Sequence, residues 1–97
     1  MITEYMDYCV ICGRPNVERH HCLKGNKQRR LADEDELVLP LCREHHTGIM
    51  SVHMIKELNI LCEIIGQLAY EKKKCAEGYG ESAARESFRI RYGRSYL

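Results

Sequence analysis

At 97 residues the chain is one domain's worth of sequence, read as a single unit over 1–97. Its net charge of +1 lacks the overall basic footprint of a nucleic-acid binder, so any such role must rest on local patches. The N-terminal "MITEYMDY" has acids and no apolar run, and no stretch approaches the roughly 18 apolar residues of a membrane span. These features predict a soluble, cytosolic protein without a membrane partner, in which the six cysteines are thiols or thiolates rather than disulfides. A domain of this size hides only about two thirds of its unfolded surface, so a structural metal would supplement its core.

In chain order, "CVICGRPN" reads as a knuckle: Cys9 and Cys12, then Gly and Pro to turn the chain. "VERHHCL" (Val17 to Leu23) predicts a short strand, followed by a polar loop from Lys24 to Asp35. That loop carries Lys24, Lys27, Arg29 and Arg30, with "DEDE" (Asp33 to Glu36) close behind. It either holds phosphates or is a solvated loop with salt-bridged ends. "ELVLPL" (Glu36 to Leu41) predicts a second strand whose ladder Pro40 ends. A short helix is expected to begin at Cys42 and stop near Gly48.

From His53 to Lys74, Met54, Leu58, Leu61, Ile65, Leu68 and Lys72 recur at spacings of four and three, with Cys62 and Ala69 widening the stripe. The pattern predicts a long amphipathic helix whose stripe is core, with a homodimer seam as the alternative. "GYG" breaks it. Ser82 is expected to cap a last short helix carrying Ala84, Phe88 and Ile90 and ended by Gly93.

Two pairs carry metal chemistry. Cys9 and Cys12 are spaced C-x2-C, and Cys42 and His45 are spaced C-x2-H. Two tight turns, each with a pair of soft or borderline donors, supply the four ligands of tetrahedral zinc, with His46 an alternative to His45 as the fourth. Cys22, Cys62 and Cys75 have no partner at such spacing and read as small apolar side chains. If His45 closes the zinc site, four histidines remain that structural zinc does not need: His20, His21, His46 and His53.

A cysteine knuckle, an adjacent "HH" on a strand, a loop, a second strand and C-x2-H-H opening a helix together resemble the HNH, or ββα-metal, endonucleases in their zinc-ribbon variant. More narrowly, "HHCLKGNKQRR…LPLCREHH…VH" is similar to small phage nucleases of the recombination-enhancement, RecA-dependent type and to phage relatives that end in a "GRSYL"-like tail. The motif similarity covers Cys9 to His53.

The resemblance implies an α+β fold: a ββα-metal core with a structural zinc knuckle over 9–53, and a helical extension over 54–97. It implies a metal-dependent DNA endonuclease or nickase, in a bacterial host's cytoplasm, acting in DNA processing beside a recombinase. Carried over residue by residue, His20 is a metal ligand, His21 the general base and His46 the next ligand. His53 completes the coordination of one divalent cation (Mg²⁺, Mn²⁺ or Zn²⁺), and Lys24, Lys27, Arg29 and Arg30 contact DNA. His53 lies seven residues beyond His46, about 10 Å along an unbroken helix, so sharing an ion requires a bend that Gly48 permits. The family's asparagine slot holds Leu37, so another group, such as a backbone carbonyl, must orient His21. The alternatives are a non-catalytic zinc-binding module for DNA or protein, and a structural zinc protein that oligomerises through its long helix.

Overall fold

The computed structural model describes residues 2–97, which form a two-stranded antiparallel sheet and four helices, an α+β fold. β1 (Val17–His21) pairs with β2 (Val38–Cys42), with Val17 opposite Cys42 and His21 opposite Val38. Side chains alternate across a strand. His20 is therefore buried while His21 is partly exposed.

β2 begins two residues later than its apolar run suggests, and Pro40 lies inside it instead of ending it. The Cys22 N–H donates to the Leu37 carbonyl at 3.0 Å. Hydrogen-bonded pairs alternate in an antiparallel ladder, so Arg19 and Pro40 form a non-bonded pair. Proline's missing N–H thus falls on the outer edge and costs the ladder nothing. On that same edge the Pro40 carbonyl accepts the Val10 N–H at 2.9 Å, which fastens the cysteine knuckle onto β2.

The stretch expected to be a polar loop is a helix. α1 (Asn26–Glu34) begins after Gly25, whose φ of +96° turns the chain, and it buries only Leu31 and Ala32. Its exposed positions include Lys27, Arg29, Arg30 and Glu34, good helix formers that give little apolar periodicity.

α2 (Arg43–Thr47) follows β2 directly, as expected, with Cys42 at its N-cap and Gly48 at its C-cap. α3 (Lys56–Ala76) starts later than His53, because a turn over Ser51–Ile55 comes first. Its stripe is rotated from the expected one. Cys62, Gly66, Gln67 and Tyr70 are buried and Leu58, Ile65 and Ala69 partly so, whereas Leu61 and Leu68 are half exposed and Met54 lies outside the helix. The cause is Gly66. A Cβ there would stand 2.9 Å from Cys22 Cβ, so α3 makes its close approach along the Cys62–Gly66–Tyr70 line.

α4 (Glu81–Tyr92) is capped by Gly80, not Ser82, which lies inside the first turn. Ala84, Phe88 and Tyr92 face inward at four-residue spacing. Ile90 falls off that face and is exposed, and Gly93 at φ +85° ends the helix.

One core cluster joins the knuckle and sheet to α3 through Cys9, Cys22, Leu39, Leu41, Val52 and Cys62. The other joins α1 to α3 and α4 through Leu23, Leu31, Leu37, Tyr70, Phe88 and Tyr92. The helical extension is therefore integral to the unit that holds the sheet. Arg91 bonds Glu34 at 2.8 Å and Asp35 at 2.7 Å, and Gln28 donates to the Tyr92 carbonyl at 2.7 Å, clamping α1 to α4. The C-terminal tail docks on buried Gln67, whose amide donates to Ser95 Oγ and accepts the Tyr96 N–H. Among the described residues no helix is long and apolar enough to cross a membrane.

Replacing a helical glycine by alanine ordinarily gains about 1 kcal/mol. At Gly66 the two Cβ atoms collide, and overpacking costs about 1–3 kcal/mol, so Gly66→Ala should lower the melting temperature. A higher one would mean that the α3 contact yields easily.

Candidate functional site

The knuckle presents its sulfurs through a tight turn, in which the Gly13 N–H bonds the Cys9 carbonyl at 2.8 Å and the Cys9 N–H bonds the Arg14 carbonyl at 2.8 Å. Cys42 ends β2 and His45 lies in the turn of α2 that follows. Cys12 and Cys42 Sγ are 3.7 Å apart, and His45 Nδ1 lies 3.3 Å from Cys42 Sγ and 3.7 Å from Cys9 Sγ. All six cysteines are free thiols. A tetrahedral ion with sulfur at 2.3 Å and nitrogen near 2.05 Å has edges of about 3.8 Å (S to S) and about 3.6 Å (S to N). The group fits such an ion, with His45, not His46, as the fourth donor.

Electrostatics point the same way. Burial opposes ionisation of Cys9, but the backbone N–H groups of Cys42, Cys12 and Ile11, with the His45 ring, outweigh it and bring the thiol down to about 6. The Arg14 backbone favours the Cys12 thiolate, yet desolvation and the neighbouring Cys9 and Cys42 sulfurs raise its pKa. One anion discourages the next unless a cation sits between them.

His46 follows His45 on α2, about 100° further round the helix, and faces a different set of partners. Gly48 then lets the chain turn back. A Cβ there would lie 2.6 Å from the Glu44 carbonyl oxygen, and the Val52 N–H closes the return by bonding the His45 carbonyl at 2.9 Å. His53 thereby comes beside His46 and His20, with ring centroids 5.0 to 5.4 Å apart and one nitrogen from each ring within 4.8 Å of the others.

His20 Nε2 is buried with no hydrogen-bond partner, a donor atom that a cation would satisfy. Burial, then the neighbouring His46 and His53 rings, hold His20 down at about 4, and burial with His46, Lys24 and Arg29 lowers His53. Both therefore offer lone pairs at neutral pH, as metal ligands must. Glu18, which the sequence reading passed over, reaches His46 Nδ1 with Oε1 at 2.9 Å. A carboxylate on the far nitrogen of a histidine fixes the ring and raises its basicity toward a metal.

His21, on the other side of the strand, bonds Asp33 Oδ1 through Nε2 at 2.8 Å. Its orienting group is thus a carboxylate on α1, not a backbone carbonyl, and Leu37 in the asparagine slot is simply core. His20, His21, His46 and His53 open onto one cleft of about 390 Å³, with Arg19, Lys24 and Arg29 on its walls. Of the other two predicted DNA contacts, Lys27 lines a separate cleft with Leu31, Asp35 and Tyr70, and Arg30 pairs with Glu34 at 3.9 Å. Cys22 and Cys62 are buried, and burial raises both thiols, Cys62 to about 11, as fits apolar filler. Cys75 is exposed, contrary to that reading.

Comparison of the chain with protein-family models, curated proteins and solved structures found no match, so the reading of the site rests on its own residues. The purified protein should hold one tightly bound metal per chain in the Cys/His group. Cys12→Ser should lose that metal and much of the cooperative melt, and a variant that keeps both would overturn the assignment. At the histidine cluster, Glu18→Ala should weaken divalent-ion binding by about ten- to a hundredfold, read by titration with Co²⁺. Unchanged affinity would reduce Glu18 to a surface contact.

Proposed function

We propose that the protein is a metal-dependent DNA endonuclease or nickase of the HNH (ββα-metal) type, with zinc in the Cys9–Cys12–Cys42–His45 group. One observation carries the reading: the His20–His46–His53 cluster shares a single cleft, walled by cations, with His21, whose ring bonds Asp33. A structural site closes with four protein ligands, whereas three leave positions open for water and substrate. Three imidazoles without a carboxylate favour Zn²⁺ or another late first-row ion such as Co²⁺ or Ni²⁺ over Mg²⁺. Resemblance to phage recombination nucleases supports DNA processing as the setting and a recombinase as a companion.

When bound, the cation supplies Lewis acidity to the phosphate and to the leaving oxygen. The remaining work falls to the chain. Nε2–H of His21 donates to Asp33, which leaves the lone pair on Nδ1 to take a proton from the attacking water. The Asp33 carboxylate holds the ring in that tautomer and stabilises the imidazolium that results. Arg19, 3.9 Å from Asp33, moderates the carboxylate's repulsion of a phosphate. Lys24 and Arg29 attract the DNA backbone without reading sequence.

Nicking of supercoiled plasmid with each divalent ion tests the reading. His21→Ala should lose about 10²- to 10⁴-fold in rate while keeping its metals, and Asp33→Ala should lose less than that. His20→Ala and His46→Ala should also weaken the divalent ion. Wild type inactive with every ion and DNA form would leave a non-catalytic zinc-binding module in its place. An active His21→Ala would move the base elsewhere.

A further inference from the structure

Lys24 stands on the rim of the histidine cleft and also on the wall of a second one, of about 620 Å³. The other walls of the second cleft include Lys56 and Asn59 from the start of α3 and Arg94 and Tyr96 from the tail. Lys24, Lys56 and Arg94 are exposed, and none has an ion-pair partner among the described residues. Several cations elsewhere on the surface are ion-paired, Arg30 and Arg91 with Glu34, Arg85 with Glu71 and Arg89 with Glu86, while Arg14, Lys27, Lys72 and Lys73 stand apart from this cleft. The one side-chain carboxylate lining the second cleft, Glu63, accepts the Asn59 amide at 3.2 Å.

Arg94 is also held in place. Its guanidinium carbon lies 4.4 Å over the Tyr96 ring, and the Tyr96 backbone is anchored by its bond to buried Gln67. A planar guanidinium steadied on an aromatic ring is a ready phosphate donor, because little freedom is lost when it binds.

We propose that this second cleft is a binding site for the sugar–phosphate backbone of the DNA strand flanking the cut, a track running from Arg29 and Lys24 at the histidines to Lys56 on α3 and Arg94 on the tail. The inference rests on the nuclease reading of the histidine cleft. Unpaired cations bind phosphates by releasing counterions, so the contact is strong at low salt and blind to sequence. The track gives the tail a task beyond packing: it presents Arg94.

The test is fluorescence anisotropy with labelled single-stranded and duplex oligonucleotides, with no divalent ion added, over a range of salt. The double reversal Lys56→Glu/Arg94→Glu should weaken binding at low salt by at least about tenfold. It should also flatten the log–log salt slope by about 1.4 for single strand and about 1.8 for duplex, the value of two phosphate contacts. Lys56→Glu alone, which leaves the tail untouched, should show about half that change in slope. Lys72→Glu/Lys73→Glu, the same charge change in another cleft, controls for net charge and should stay close to wild type. If the wild type binds DNA and the Lys56/Arg94 variant loses no more than this control, the track is overturned and the nuclease reading stands. If the wild type binds neither form of DNA, both fall together.

Discussion

The structure depends on the closeness of three sulfurs. Two thiolates 3.7 Å apart repel by about 4.5 kcal/mol at an effective dielectric of about 20, so the Cys9–Cys12–Cys42 arrangement is tolerable only around a cation or as neutral thiols. The N–H groups aimed at Cys9 already bias it to the thiolate. A metal there would do more than fill a hole. Cys42 is at once the last residue of β2 and the N-cap of α2, so a bond to its sulfur would fix the corner between strand and helix. That corner decides where both neighbouring histidines point.

α2 is barely more than a turn, with no buried residue of its own, and would have no reason to persist without its ends being held. It acts as a partition. His45 turns to the sulfurs and His46 to His20 and His53, because adjacent helical residues differ by about 100°. The adjacent pair on β1 divides its labour differently, since a strand sends successive side chains to opposite faces. His20 goes inward to the cluster, and His21 goes to Asp33. Two "HH" pairs, one on each kind of backbone, thus place three imidazoles in one cluster, a fourth beside it and a fifth with the cysteines once Gly48 has returned His53.

Short-range spacing and the family resemblance together make most of this legible in the sequence. The Cys9–Cys12–Cys42–His45 group follows from C-x2-C and C-x2-H, the histidine cluster from the resemblance, the strands and α2 from their apolar runs and turns, and the bend from Gly48. What escaped was non-local. Glu18 and Asp33 look like ordinary surface acids until His46 and His21 are placed against them. α1 was hidden because a helix that buries only Leu31 and Ala32 has almost no apolar period to read. The stripe of α3 announced a helix correctly but not its rotation, which is set by the meeting of Gly66 with Cys22, forty-odd residues away. Pro40 misled because its effect on a ladder depends on which edge its nitrogen faces, a matter of register that no single strand contains.

The acidic run after the basic loop explains how a chain of net charge +1 can keep cations available. Asp33 is spent on His21 and Arg19, Glu34 on Arg30 and Arg91, and Asp35 on Arg91 and the Tyr92 hydroxyl. Two of these acids fasten α1 to α4 and one orients a histidine, so the run does not neutralise the cleft even though it cancels the loop's charge on paper. Lys24 and Arg29 are left without ion-pair partners among the described residues, on the wall beside the histidines. The clamp has a mechanical consequence too. Asp33 can orient His21 only if α1 keeps its place, and α1 has little apolar grip of its own, so Arg91, Tyr92 and Gln28 supply the rest. The C-terminal helix α4, remote in sequence from every candidate metal ligand, thereby holds the group on which the proposed base depends.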